Sequence, residues 1–171
     1  MKRTEQESHL EAVIRANASD LLAYLERRID PRADAADVLS ETFIVAWKKV
    51  SKAPSDEVGG RMWLFAIARN MLLNAHRSTR RRLAVGIRLR QELDQPLADT
   101  DDLYVLALRE AVRQLPAGHR ELIELVHWDG FSLVEAAHIT GVSSSTARSR
   151  YAAAKQRLRV ALAVEPQDSL S

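Results

Sequence analysis

The chain contains no cysteine, which excludes disulfides and thiolate metal sites and suits a reducing compartment. Six glycines and five prolines are few for 171 residues, and β-branched residues do not cluster, so helices rather than strands are expected. Aromatic residues make up only 5%, so any core must be largely aliphatic. No apolar run reaches the roughly 18 residues that span a bilayer, and no membrane insertion is expected. The stretch MKRTEQESHLEAVI at the N-terminus is too charged for a secretory signal, which makes the cytoplasm the expected location. No nucleophile stands beside a base in any known spacing. The histidines at 9, 76, 119, 127 and 138 are too scattered to hold a metal. No catalytic residue, no metal and no cofactor is therefore expected.

What the chain does have is charge, and the charge is segregated. The net value is only +2, yet the pI is near 9.1. Residues 61–90 hold eight arginines and no acid, residues 91–102 five acids and no base, and residues 141–164 five bases and no acid. One charged run is ordinarily a solvated face. Two acid-free basic runs on separate helices point to a polyanion, and nucleic acid is the expected partner.

Apolar periodicity divides the chain. Leu10, Val13, Ile14, Leu21, Leu22, Leu25 and Ile29 recur at helical spacing, with a capping box possible at Ser8 or Thr4 and a break at Asp30-Pro31. A second helix is expected over 34–50, capped by Asp34 or Asp37, with Val38, Leu39, Phe43, Ala46, Trp47 and Val50 as its apolar positions. Pro54, Gly59 and Gly60 predict a loop over 51–60, and a third helix follows over 61–82. Residues 83–102, with Gly86, Pro96 and the acidic run, predict a flexible linker. Helices are expected again over 103–115, 117–128 and 132–140, then from Ser143 or Ser144 to about 163, followed by a polar tail over 164–171. The expectation is an all-α protein of two small helical domains, 1–82 and 103–163.

Residues 131–151 carry the strongest local signal. A short helix, a turn containing Gly141 and a serine-capped second helix make a helix-turn-helix, and Ala136 and Ala137 are small enough for two helices to cross closely. In the last helix Ala147, Tyr151, Ala154 and Leu158 form an inward stripe. Thr146, Arg150, Ala153 and Arg157 form one outward stripe, and Arg148, Ala152, Lys155 and Arg159 another. Such a helix suits a DNA major groove; the plainer alternative is an amphipathic hairpin. Along 61–82, Trp63, Ile67, Asn70, Asn74, Arg77 and Arg81 share a stripe, with Arg69, His76 and Arg80 beside it. Asparagine can read base edges, arginine can grip phosphate and an aromatic ring can stack on an unpaired base. Core packing is the alternative for Trp63, and solvated surface the alternative for Asn70 and Asn74. Asp34, Asp37 and Glu41 share a helix face with no histidine at ligand spacing. Capping and a charged contact with a protein partner are their expected roles.

In this order and spacing the motifs resemble bacterial RNA polymerase sigma factors of the small extracytoplasmic-function group (ECF, group 4) of the sigma-70 family, over roughly residues 9–163. Residues 34–47 (DAADVLSETFIVAW) and 61–70 (RMWLFAIARN) are similar to helices of the family's region 2. Residues 115–121 (LPAGHRE) and the helix-turn-helix are similar to its region 4. The resemblance implies an alternative sigma factor without an active site of its own, which binds core RNA polymerase and promoter DNA. It implies that Asp34, Asp37, Glu41 and Trp47 meet the clamp coiled coil of the largest polymerase subunit, and that the second-largest subunit's flap is a further contact. It implies that Ser51, Lys52, Arg61, Trp63, Arg69, Asn70, Asn74 and Arg77 handle the melted −10 element. Ser144, Ser145, Thr146, Arg148, Ser149, Arg150 and Lys155 would read the −35 element as duplex. An anti-sigma factor is a further implied partner. The rival reading, a stand-alone helix-turn-helix regulator, leaves the 34–50 and 61–82 helices without a role.

Overall fold

The computed structural model describes residues 3–84 and 103–163, which form seven α-helices and two short 3-10 turns and, among the described residues, no strand. The helices fall into two units, α1 to α3 within residues 1–91 and α4 to α7 within residues 92–171.

In the first unit α1 (Arg3–Glu26), α2 (Ala35–Lys48) and α3 (Glu57–Ala84) each pack on the other two. Leu10, Leu21 and Leu25 of α1, Val38 and Ala46 of α2, and Leu64, Phe65 and Ala68 of α3 are buried. Tyr24 meets Phe65 edge to face, with ring centroids 5.3 Å apart.

Three local expectations for this unit fail, each for a physical reason. Helix α1 already runs from Arg3, so Thr4 and Ser8 sit inside it and neither opens a capping box. The acids instead take arginines one turn away: Arg3 donates to Glu7 at 3.0 Å and Arg15 to Glu11 at 2.6 Å. Asp34 precedes α2, but its backbone is helical (φ −76°, ψ −11°) and its carboxylate makes no capping bond. A 3-10 turn, Arg32–Asp34, runs straight into the helix, and Asp37 lies in the first turn, where its charge complements the helix dipole.

The 51–60 loop is shorter than expected, because α3 begins at Glu57 and takes Gly59 and Gly60 into its first turn. Asp56 caps that turn, its Oδ1 accepting the Gly59 N–H at 2.7 Å. The glycines are there for closeness. A Cβ on Gly60 would stand 3.0 Å from Val13 Cγ1, and one on Gly59 would stand 2.9 Å from Pro54 Cβ. The Gly60 backbone therefore rests directly on α1.

In the second unit α7 (Ser144–Ala163) packs against α4 (Leu103–Arg113), α5 (Ala117–His127) and α6 (Leu133–Thr140). Val112, Leu115, Ile123 and Ala154 are the buried centre of one cluster, with Leu108, Tyr151 and Leu158 packed around it. Gly130 (φ 76°) and Gly141 (φ 70°) turn the chain before and after α6 in the left-handed region that a side chain disfavours. Ser143 caps α7, its Oγ accepting the Thr146 N–H at 3.1 Å. A capping box that the sequence reading missed opens α6. Ser132 Oγ accepts the Glu135 N–H at 3.2 Å, and Glu135 Oε2 accepts the Ser132 N–H at 2.7 Å. Helix α3 reaches Ala84, into the expected linker; the rest of that linker and the 164–171 tail lie outside the described residues.

The box sets where the helix-turn-helix begins. Ser132→Ala is expected to lower the stability of the second unit by about 1 kcal/mol. Urea unfolding followed by circular dichroism should show a lower midpoint with an unchanged slope.

Candidate nucleic-acid interface

The surface of α7 follows from which residues it buries. Ala147 and Ala154 are fully enclosed and Tyr151 and Leu158 half-buried, so these define the inward face. At about 100° per residue, the crest opposite them carries Ser145, Ser149 and Gln156, all exposed, with the exposed Ala152 and Ala153 to either side. One flank carries Arg148, Lys155 and Arg159, also exposed. The other carries Thr146 and Arg150, both half-buried, and the exposed Arg157. The Thr146 hydroxyl accepts from Ser143 at 2.9 Å, so it belongs to the cap. Ser144 is exposed in the first turn.

Side chains from α5 hold the middle of α7. His127 Nε2 lies 2.8 Å from the Tyr151 hydroxyl, and the two rings stack 5.9 Å apart and 13° from parallel. Lys155 Nζ stands 4.7 Å above the same tyrosine ring, a cation–π contact that fixes the ammonium along the flank. Arg150 crosses the first turn of α5: a Cβ on Gly118 would sit 3.0 Å from its Nη1 and 3.6 Å from its Cζ.

In the first unit the −10 candidates divide. Ser51 and Lys52 are exposed in the 3-10 turn Val50–Lys52 that follows α2. Arg61 is committed inside the unit: its Nη1 donates to Asp20 at 2.7 Å and to Asn17 at 2.9 Å, and the guanidinium stands 5.0 Å from the Phe65 ring centre. The sequence reading missed this tie, although Asn17 and Asp20 stand out as polar positions among the apolar ones of α1. Trp63 and Arg69 are half-buried. Ile67, expected on the same outward stripe, is buried. The stripe therefore emerges only from Asn70 onward, where Asn70, Asn74 and Arg77 are exposed, with the exposed Arg80 beside them. His76 Nε2 lies 3.0 Å from the Arg28 carbonyl, which ties this part of α3 to the turn that follows α1.

The polymerase candidates Asp34, Asp37 and Glu41 are all exposed, and so is Trp47. Ile44, which the sequence reading passed over, joins them at 53% exposure, so α2 shows acids and large apolar side chains together. Its i, i+3 spacing to both Glu41 and Trp47 is the signal that would have found it. Just ahead of α2, Arg32 donates to Glu26 at 2.7 Å; that bond, with the attraction of the carboxylate, raises the guanidinium pKa above its ordinary value. Among the described residues no group of three or more His, Cys, Asp or Glu is placed to hold a metal, and no helix is long and apolar enough to cross a membrane.

Known proteins match both units. Residues 13–82 match Sigma-70 region 2 and residues 106–158 match Sigma-70, region 4. The chain is 32% identical over 158 residues to the ECF RNA polymerase sigma factor SigL of Mycobacterium tuberculosis, covering 90% of this chain and 88% of that one. It is 33% identical over 138 residues to the ECF RNA polymerase sigma factor EcfG of Rhodopseudomonas palustris, covering 78% and 73%. Among solved structures, the sigma factor RpoE from Bartonella quintana, crystallised with the anti-sigma factor NepR, superposes with a TM-score of 0.65 at 29% identity over 97% of this chain and 100% of that one. CnrH, solved with the cytosolic domain of CnrY, superposes with a TM-score of 0.64 over 92% and 89%, and at 23% identity it shows a shared fold. An acid-free helix in a helix-turn-helix and matches to both sigma regions in order leave one conclusion. The chain belongs to the extracytoplasmic-function group of the sigma-70 family, as an alternative sigma factor that directs promoter-specific transcription by RNA polymerase and is not an enzyme.

Proposed function

We propose that the two units divide the work of initiation, with residues 1–82 binding core polymerase and the melted −10 strand and residues 103–163 binding the −35 element as duplex. The observation that carries this reading is the exposed face of α7. It lies in a segment, 141–164, with five bases and no acid, and it presents Arg148, Lys155 and Arg159 along one side. A helix of that kind meets no self-repulsion from carboxylates as it enters a groove lined by phosphates.

On α2 the exposed Ile44 and Trp47 supply apolar area, while Asp37 and Glu41 supply charge that fixes register and partner. The clamp coiled coil of the largest polymerase subunit is the partner this face would take, with the flap of the second-largest subunit engaging the second unit. The −10 strand would run past Ser51 and Lys52 and along Asn70, Asn74 and Arg77, with Trp63 and Arg69 at the inner edge. Arg61 would act from behind by holding the start of α3 on α1. Extruding a base costs a few kcal/mol, about what a fitted pocket can return. The capture of RpoE by an anti-sigma factor supports a similar restraint on this chain, acting in the cytoplasm where the polymerase is.

The direct test is run-off transcription with purified core polymerase on genomic fragments. Discrete transcripts that require this chain are expected, and their absence would overturn the reading. Reversing charge on α2, Asp37→Arg with Glu41→Arg, should weaken core binding at least tenfold, ~1.4 kcal/mol or more, while helicity is kept; retained affinity in a pull-down would remove α2 as the docking face. Asn70→Ala with Asn74→Ala should shift initiation across a panel of −10 variants and leave the ranking of −35 variants unchanged. A shift in the −35 ranking would contradict the division of labour.

A further inference from the structure

Arg148 and Arg150 have the same chemistry and stand two positions apart, yet they occupy different surroundings. On the helical wheel they fall roughly 160° apart, on opposite flanks of α7. Arg148 is exposed. Arg150 is half-buried, and its side chain from Cδ to Nη1 passes over Gly118, the second residue of α5. A Cβ at Gly118 would stand 3.0 Å from Nη1, 3.6 Å from Cζ and 3.9 Å from Cδ. The space the guanidinium occupies is therefore the space any other residue at this position would fill. Gly118 has no left-handed backbone to explain it: Gly130 and Gly141 are the glycines of this unit with positive φ. Within a helix a glycine is the poorer choice than alanine, so its place here calls for another reason.

We propose that Gly118 is a positioning residue for promoter binding. It seats the Arg150 guanidinium on the first turn of α5, which aims it at the phosphate backbone beside the recognition helix and leaves base discrimination to the Arg148 flank. The inference rests on the reading of α7 as the −35 helix. A side chain drawn back across a neighbouring helix reaches the groove wall rather than its floor, and groove walls are phosphate. The seat also confines a long, rotamer-rich side chain before DNA arrives, which reduces the ordering cost of the contact.

The test uses the full chain with core polymerase on a promoter recovered by run-off. Holoenzyme affinity is measured over a salt series and over a panel of −35 variants, with a melting curve for each protein. Gly118→Leu puts a good helix former into the seat and displaces the guanidinium. It should lower affinity about three- to tenfold on every −35 variant alike and flatten the slope of log affinity against log salt by about one. Arg150→Ala should do the same, and the double variant should be no weaker than either alone. Gly118→Ala, whose Cβ the guanidinium can clear by a few tenths of an ångström, should have the smaller effect. Arg148→Ala should instead reorder the −35 variants. A folded Gly118→Leu protein with the wild-type salt slope would overturn the proposal. If that variant does not fold, Arg150→Ala decides: a flattened slope with unchanged preference supports the proposal, and a changed −35 ranking overturns it. If neither Arg148→Ala nor Arg150→Ala alters promoter binding, the −35 reading of α7 itself falls, and the role of Gly118 with it.

Discussion

Close approach of helices at residues with little or no side chain is the constraint on which both units depend. In the first unit the Gly60 backbone rests on Val13, and Ala46 and Ala68 are fully enclosed. In the second, Ala136, Ala137, Ala147 and Ala154 are buried where α6 and α7 meet their neighbours. With only 5% aromatic residues the cores have few large groups to fill a wide gap, so the backbones come close and aliphatic side chains suffice. The helix penalty of Gly60, about 0.5–1 kcal/mol, is offset because a larger residue would push α3 off Val13 of α1 at a cost of about 1–3 kcal/mol, while a side chain at Gly59 would meet Pro54 and Asp56 just ahead of the helix. The same closeness has a chemical consequence. It brings Arg61 within 2.7 Å of Asp20 and 2.9 Å of Asn17, so the first arginine of the cationic helix becomes part of the scaffold.

Charge is sorted in a complementary way. Carboxylates of α1 engage arginines locally, as in Arg3–Glu7 and Arg15–Glu11, or across helices, as in Arg61–Asp20. The two local pairs are exposed and add little to stability. Sorting of this kind matters more for what it leaves. No acid occurs in α3 after Glu57, and none occurs in α7. Because fields at the surface decay over about 8–10 Å in physiological salt, a molecule of net charge +2 can still present strongly cationic helices to DNA. The acidic face of α2 can serve a different, protein partner.

The sequence disclosed the second unit better than the first, and the reason is local. Pro116, Asp129-Gly130 and Gly141 interrupt short helices at unambiguous points, and the buried Ala147 and Ala154 fall where a 3.6-residue period puts them. In the first unit the punctuation misled. Glycines at 59 and 60 read as a loop because propensity registers their helix penalty and is blind to what they approach in space, Pro54 for Gly59 and Val13 on the other helix for Gly60. Thr4 and Ser8 had the right chemistry for caps, but the helix had already begun. Asp34 had the right position for a cap, but a 3-10 turn gave its backbone a helical conformation. Ile67 showed the limit of a stripe drawn along a long helix: α3 is buried near its start and exposed from Asn70, so one line of residues crosses from core to solvent.

The split between the flanks of α7 was beyond reach of sequence for a different reason. Periodicity assigns Arg148 and Arg150 to different outward stripes but makes both equally exposed and equally cationic. What separates them is Gly118, thirty-two positions upstream of Arg150, and only the packing of α5 on α7 brings the two together. Between the flanks, Gln156 aside, the crest is made of the short side chains of Ser145, Ser149, Ala152 and Ala153. Side chains that short extend little beyond the helix, so the backbone of α7 can come close to a groove floor before anything clashes. A low crest between two cationic flanks is compatible with the proposed split, in which Arg148 reads base edges and Arg150 grips phosphate. The reliance on small residues that lets these helices pack closely on one another thus also shapes the face of α7 proposed to meet DNA.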